Sequence, residues 1–122
     1  MKTVMIVDDS RIMRNIVKKT FEMLKKQVDF IEASDGEDAM ELLLENKVNL
    51  ILLDWNMPRL SGIDFLKQVR AMEDYREIPI IMVTSEASKL GFIEAVKAGV
   101  TGYITKPFTE KTFLDKLAGI SL

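Results

Sequence analysis

Residues 50–62 read LILLDWNMPRLSG. Four aliphatic residues in succession suit a strand buried on both faces, as at the centre of a parallel sheet. The next position is Asp54, and a turn signal follows at once. An ionised carboxylate is costly to remove from water unless something pairs with it. Asp54 is therefore either a strand end at the surface or one part of a site whose other parts lie elsewhere in the chain.

Four more short runs resemble LILL: TVMIV (3–7), VDFIE (28–32), IPIIMV (78–83) and GYIT (102–105). Between the runs the apolar residues recur with helical period. Ile12/Met13, Ile16/Val17, Thr20/Phe21 and Leu24 form one stripe, with lysines expected on the other face. Ala39/Met40 with Leu43/Leu44 form a second, and Ile63, Leu66 and Val69 a third. Phe92/Ile93 with Val96, then Phe113/Leu114 with Leu117, complete the set. Asp35-Gly36 reads as a turn before a helix, Ser61 with Asp64 as a helix start, and Ala98-Gly99 as a helix stop. Strands alternating with helices five times predict an α/β fold, a parallel sheet covered by helices on both faces. No repeat, low-complexity tract or linker interrupts the chain, so residues 1–122 are expected to form one domain.

Composition excludes several chemistries. A net charge of −2 gives no electrostatic footprint for nucleic acid or an anionic membrane. With no cysteine there is no disulfide framework, thiol catalysis or thiolate metal site. With no histidine, Ser-His catalysis, imidazole–metal sites and phosphohistidine on this chain are also impossible. MKTVMIVDD reaches acidic residues too early for a signal peptide, and no apolar run is long enough to span a bilayer. A cytoplasmic protein is expected, working with carboxylates, hydroxyls, lysines and a bound cation.

Ligands of open α/β sheets bind outside the carboxyl ends of the strands. Those ends read Asp8-Asp9, Glu32, Asp54, Thr84-Ser85 and Lys106-Pro107. A nucleotide-binding domain would place glycines in the first loop, whereas VDDSR would repel an anion. Asp9-Ser10 suits a helix cap when taken alone. With Asp54 on the same edge, paired acids favour a hard cation, and an oxygen-only donor set favours Mg²⁺. Lys106 is placed to neutralise a carboxylate or hold a transferred anion, and Thr84 to offer a hydroxyl hydrogen bond. A carboxylate beside Mg²⁺ can attack phosphorus and form an acyl phosphate.

The set VDD (7–9), LLDWNMP (52–58), MVTSEA (82–87) and GYITKPFT (102–109) resembles the receiver domains of response regulators, and among them the stand-alone chemotaxis regulators. The resemblance spans the whole chain in order and spacing. It implies a flavodoxin-like, doubly wound five-stranded sheet of order 2-1-3-4-5 with five helices. It also implies Asp54 as phosphoacceptor, with Asp8, Asp9, Asp54 and the Asn56 backbone carbonyl holding Mg²⁺, and Thr84 with Lys106 sensing the phosphoryl group. Further implications are a cis Lys106–Pro107 bond, Tyr103 as a switch aromatic that turns inward, and Asn56 and Glu86 as positions tuning hydrolysis. Output is expected from the fourth helix, fifth strand and fifth helix, where Lys89, Tyr103 and Lys116 match positions that meet a flagellar motor switch. The implied partners are a histidine kinase as donor, a motor switch or other target protein, and a phosphatase. A monomer is expected.

Two rivals within signalling are a phosphorelay intermediate and the receiver half of a longer regulator. From the enzyme class, a haloacid-dehalogenase-type aspartyl-phosphate phosphatase would carry a second Asp two residues past the nucleophile. Here that position is Asn56, which cannot donate the proton, and no inserted cap domain holds a substrate.

Overall fold

Strand β3 (Leu50–Leu53) buries all four of its side chains, because it lies at the middle of a five-stranded parallel sheet. The computed structural model describes residues 1–120 and 122. Around β3 stand β1 (Lys2–Val7), β2 (Val28–Ala33), β4 (Ile80–Thr84) and β5 (Gly102–Thr105). Their order is β2-β1-β3-β4-β5, and every neighbouring pair is parallel. The crossovers are α1 (Arg11–Met23), α2 (Gly36–Glu45), α3 (Gly62–Ala71) and α4 (Lys89–Ala98), with α5 (Glu110–Leu117) closing the series. The parallel sheet covered on both faces is the one the sequence pattern predicts, and its doubly wound, flavodoxin-like order is the one the resemblance implies.

Alternation along the strands makes two cores. Met5, Val7, Ile51, Leu53 and Met82 face α2, α3 and α4, where Leu43, Phe65, Leu66 and Ala95 meet them. Val4, Ile6, Leu50, Leu52 and Ile81 face α1 and α5 across Val17, Phe21, Phe113 and Leu117. Phe21 and Phe113 join these last two helices edge to face, with centroids 5.6 Å apart.

Each of the α-helices α1 to α5 begins on a side-chain cap, in which an oxygen accepts a backbone N–H that would otherwise lack a partner. Ser10, Asp35, Ser61, Ser88 and Thr109 accept from Met13, Asp38, Asp64, Gly91 and Thr112 respectively. Gly99 ends α4 with φ 96°, the left-handed conformation that favours glycine. Strand β4 starts one residue past Pro79, whose carbonyl still accepts the Ile51 N–H at 3.0 Å.

The apolar stripes are narrower than the sequence pattern expects. Ile12 and Ile16 point to solvent while Val17, Thr20 and Phe21 are buried. Adjacent helical residues diverge by roughly 100°, so in the first two pairs of α1 the leading residue turns away from the sheet, while Thr20 and Phe21 straddle the buried face. Phe92, Ile93 and Val96 on α4 and Leu114 on α5 are likewise exposed.

Gly62 joins the fold to the end of β3. A Cβ at this position would stand 1.9 Å from the Asp54 carbonyl oxygen and 2.9 Å from the Trp55 Cα. Both neighbours are backbone, and the Gly62 N–H already donates to the Trp55 carbonyl at 2.8 Å. Gly62→Ala should therefore cost about 2 kcal/mol or more. The midpoint of urea unfolding measures this, and an unchanged midpoint would contradict the close approach.

Candidate functional site

The hydrogen-bond ladder runs one residue past the strands and so fixes the backbone of the site. Asp8 N–H donates to the Ala33 carbonyl at 3.0 Å, Asp54 N–H to Val7 at 2.8 Å and Lys106 N–H to Thr84 at 2.8 Å. Val7 and Leu53 are register partners, which sets Asp8 beside Asp54. Thr84 and Thr105 pair in the same way and set Lys106 beside them. One sheet edge thus gathers Asp8, Asp54, Thr84 and Lys106, with Asp9 adjoining.

Carboxylate oxygens of Asp8, Asp9 and Asp54 all lie within 4.8 Å of one another. Asp8 and Asp54 are buried and Asp9 is exposed. The Lys106 Nζ donates to Asp8 Oδ2 at 2.8 Å and stands 3.6 Å from Asp54 Oδ1. Its closer carboxylate is thus Asp8. Asp54 Oδ1 accepts the Trp55 N–H at 2.8 Å, and Asp8 Oδ1 accepts the Ser10 N–H at 2.8 Å. Ser10 alone caps α1, leaving the Asp9 carboxylate to the cluster, so the cap and the acidic site coexist.

Three carboxylates face one lysine, and the imbalance appears at Asp54. Burial first, then the charge of Asp8, pushes its carboxyl above the ordinary carboxylate range. Lys106, the Trp55 N–H and the Thr84 hydroxyl oppose that rise without cancelling it. A cluster of oxygen donors short of positive charge fits a hard divalent cation such as Mg²⁺.

The remaining expected residues fall into two groups. Thr84 is fully buried, and its Oγ1 accepts the Glu86 N–H at 3.2 Å. Tyr103 is also buried, donates its hydroxyl to the Glu86 carbonyl at 2.6 Å and meets Phe92 edge to face. Burial also raises the Tyr103 phenol's pKa. The Tyr103 ring is therefore inward in this structure. Both ends of the Glu86 backbone are held, while its carboxylate accepts the Ser88 N–H at 3.0 Å and is lowered in pKa by Ser88. Asn56 is exposed in the loop after Asp54. Lys89 on α4 and Lys116 on α5 are exposed outside the acidic cluster, and β5 between these helices is an edge strand. The Lys106–Pro107 bond is cis.

Glu32 does not join the cluster. It lies on the outer strand β2, where Arg14 and Lys18 bind its two oxygens at 3.0 and 2.9 Å. Two arginines escaped the sequence reading. Arg14 donates to the Asp8 carbonyl at 2.7 Å, and Arg59 binds Asp35, Glu37 and Asp38. Neither stands in a motif that marks it, since each works through the backbone or through a second loop.

Residues 4–118 match the response regulator receiver domain family, and the chain belongs to that family. Its relatives include a chemotaxis protein CheY homolog of Campylobacter jejuni, 44% identical over 95% of this chain and 89% of that protein. Chemotaxis protein CheY1 of Helicobacter pylori is 46% identical over 93% of this chain and 91% of its own length. Among solved structures, the chemotaxis response regulator CheY4 of Vibrio cholerae superposes with a TM-score of 0.87 at 33% identity, covering 99% of both chains. This protein is accordingly a CheY-like receiver domain.

The raised Asp54 pKa fixes the sign of a stability effect. The native state binds this proton more tightly than the unfolded state does. The associated stability is full below the ordinary carboxylate range and is lost as pH rises through the shifted pKa. At neutral pH the ionised Asp54 is thus a net cost. Without divalent cation, Asp54→Asn should raise the urea midpoint at neutral pH, and the gain should shrink as pH falls below that range. A midpoint that drops at neutral pH would show that Lys106 and the hydrogen bonds outweigh burial.

Proposed function

We propose that this receiver is a phosphorylation-activated switch in which Asp54 accepts a phosphoryl group from a histidine kinase. The observation that carries it is the convergence of three carboxylates within 4.8 Å beside the Lys106 ammonium at a buried strand end. Asp8, Asp9 and Asp54 would hold Mg²⁺ with the Asn56 backbone carbonyl. When bound, Mg²⁺ neutralises phosphoryl oxygens and the crowded carboxylates.

An Asp54 oxygen attacks phosphorus, the donor's P–N bond breaks, and the departing imidazole nitrogen takes a proton. Lys106 exchanges its bond to Asp8 for one to a phosphoryl oxygen. The Thr84 hydroxyl turns to donate to another, giving up the Glu86 N–H. Water later attacks phosphorus, the P–O bond to Asp54 breaks, inorganic phosphate leaves and the carboxylate is restored, with Asn56 and Glu86 as the positions that tune this hydrolysis.

Glu86 carries the change outward, because its carbonyl also holds Tyr103. Tyr103, Lys89 and Lys116 then mark an output surface on α4, β5 and α5. The relatives' naming as chemotaxis proteins supports a chemotactic role, and the target proposed for this surface is a flagellar motor switch or another target protein.

Trp55 is the only tryptophan and adjoins Asp54, so its fluorescence reports on the site. The emission should respond to Mg²⁺, respond again to a small acyl- or amido-phosphate donor, and recover as the donor is consumed. Asp54→Ala should abolish the donor response. A wild type indifferent to both additions would leave the protein a phosphorylation-independent binding module.

A further inference from the structure

Arg59 lies in the loop between β3 and α3, three residues past Asn56, and its φ of 65° is left-handed. An arginine is strained in that region, which suits glycine or asparagine better. Its side chain shows what holds it there. Nε and Nη2 approach Asp35 Oδ2 at 2.9 and 2.8 Å, Nη2 also reaches Asp38 Oδ1 at 2.8 Å, and Nη1 lies 3.3 Å from Glu37. Asp35 is buried, and its other oxygen accepts the Asp38 N–H at 2.9 Å to cap α2. A second tie lies alongside, since the Gly36 N–H donates to the Leu60 carbonyl at 3.2 Å. The approach is so close that a Gly36 Cβ would stand 2.6 Å from that oxygen.

The loop is therefore fastened at both ends. At Trp55 the N–H is held by the Asp54 carboxylate and the carbonyl by Gly62. At residues 59–60 the Arg59 fork and the Leu60 carbonyl fasten it to the first turn of α2. Asn56, Met57 and Pro58 span the interval between the anchors.

The geometry points to Arg59 as a positioning residue for the cation site, holding the Asn56 segment through the buried carboxylate of Asp35. This role rests on the proposed reading that Asn56 and the three aspartates hold Mg²⁺. The guanidinium suits the task, because Nε donates to Asp35 and Nη2 to Asp38, and two charge-assisted bonds from one rigid plane to the first turn of α2 fix direction as well as distance. The three acids at the start of α2 also gain from the helix dipole.

The sign of the effect separates positioning from simple electrostatics. Deleting a cation frees the charges of Asp35, Glu37 and Asp38, which on field effects alone would tighten binding of a divalent cation. Loss of positioning weakens it. Two variants test this in the full chain: Arg59→Asn, which tolerates the left-handed backbone, and Asp35→Asn, which keeps a capping oxygen but loses the charge. With Mg²⁺ alone as probe and Trp55 fluorescence as readout, each should weaken binding about three- to tenfold, below the 10- to 100-fold typical of partners that contact metal ligands directly. The double variant should weaken it no further than the stronger single one. Urea unfolding run in parallel confirms that each variant is folded at the titration temperature. Unchanged or tighter Mg²⁺ binding in folded Arg59→Asn, beside a responsive wild type, overturns this role alone, because only there do positioning and field effects differ in sign. A wild type that ignores Mg²⁺ overturns the cation reading and this role together.

Discussion

The desolvated carboxylate of Asp54 is the constraint around which this molecule is arranged. It ends a strand whose four preceding side chains are all buried, and it stands beside a second buried acid, Asp8. Neither acid can retreat to solvent, because the ladder bonds to Val7 and Ala33 fix their backbones. One lysine is shared between them unequally, at 2.8 Å from Asp8 and 3.6 Å from Asp54. Burial first, then the charge of Asp8, raises the pKa of the Asp54 carboxyl, and the more distant lysine does not cancel that rise. A buried acid left partly uncompensated is poor for stability and well suited to binding a cation and reacting with phosphorus.

Such a site needs a rigid frame, and backbone interactions supply most of it. Gly62 closes the loop against β3 with no space for a side chain. Arg14 binds the Asp8 carbonyl and is itself steadied by Glu32, so an outer-strand acid outside the cluster still acts on the first loop. Arg59 does the same for the third loop through Asp35. In both cases the arginine contacts backbone or a capping acid, and the acidic cluster is left to Lys106.

Most of the architecture was legible because it follows from periodicity. Five apolar runs separated by helical stripes dictate the sheet, and strand ends dictate which residues can meet. Asp8, Asp9, Asp54, Thr84 and Lys106 were found this way, since each closes or follows a strand. The stripe on α1 is broader in the sequence than in the fold, because apolar pairs such as Ile12/Met13 do not reveal which member faces inward. Arg14 and Arg59 were invisible for a different reason. Their partners are 18 and 24 residues away in sequence, and only tertiary folding brings Glu32 and Asp35 to them. The φ of Arg59 leaves no trace in composition, since an arginine in a loop after proline is ordinary.

The two ends of α4 are restrained unequally, and this bears on how a local event at Thr84 would reach the surface. At its C-terminal end Arg70 binds the Gly99 carbonyl, the Tyr75 carbonyl and the Thr101 hydroxyl at 2.8, 2.9 and 3.3 Å. At its N-terminal end the preceding loop depends on Thr84 and Tyr103, both gripping Glu86, and on the Ser88 cap. Phe92 leans on Tyr103, and Leu90 in the first turn of α4 is 81% exposed. A hydroxyl that leaves the Glu86 N–H releases the less restrained end while Arg70 holds the other. On the proposed reading, a change at that end would re-aim the exposed apolar side chains of α4. A target would favour one arrangement of that end only by its difference in contact energy between the two, and this is the sense in which the proposed output surface on α4 depends on the Thr84 contact to Glu86.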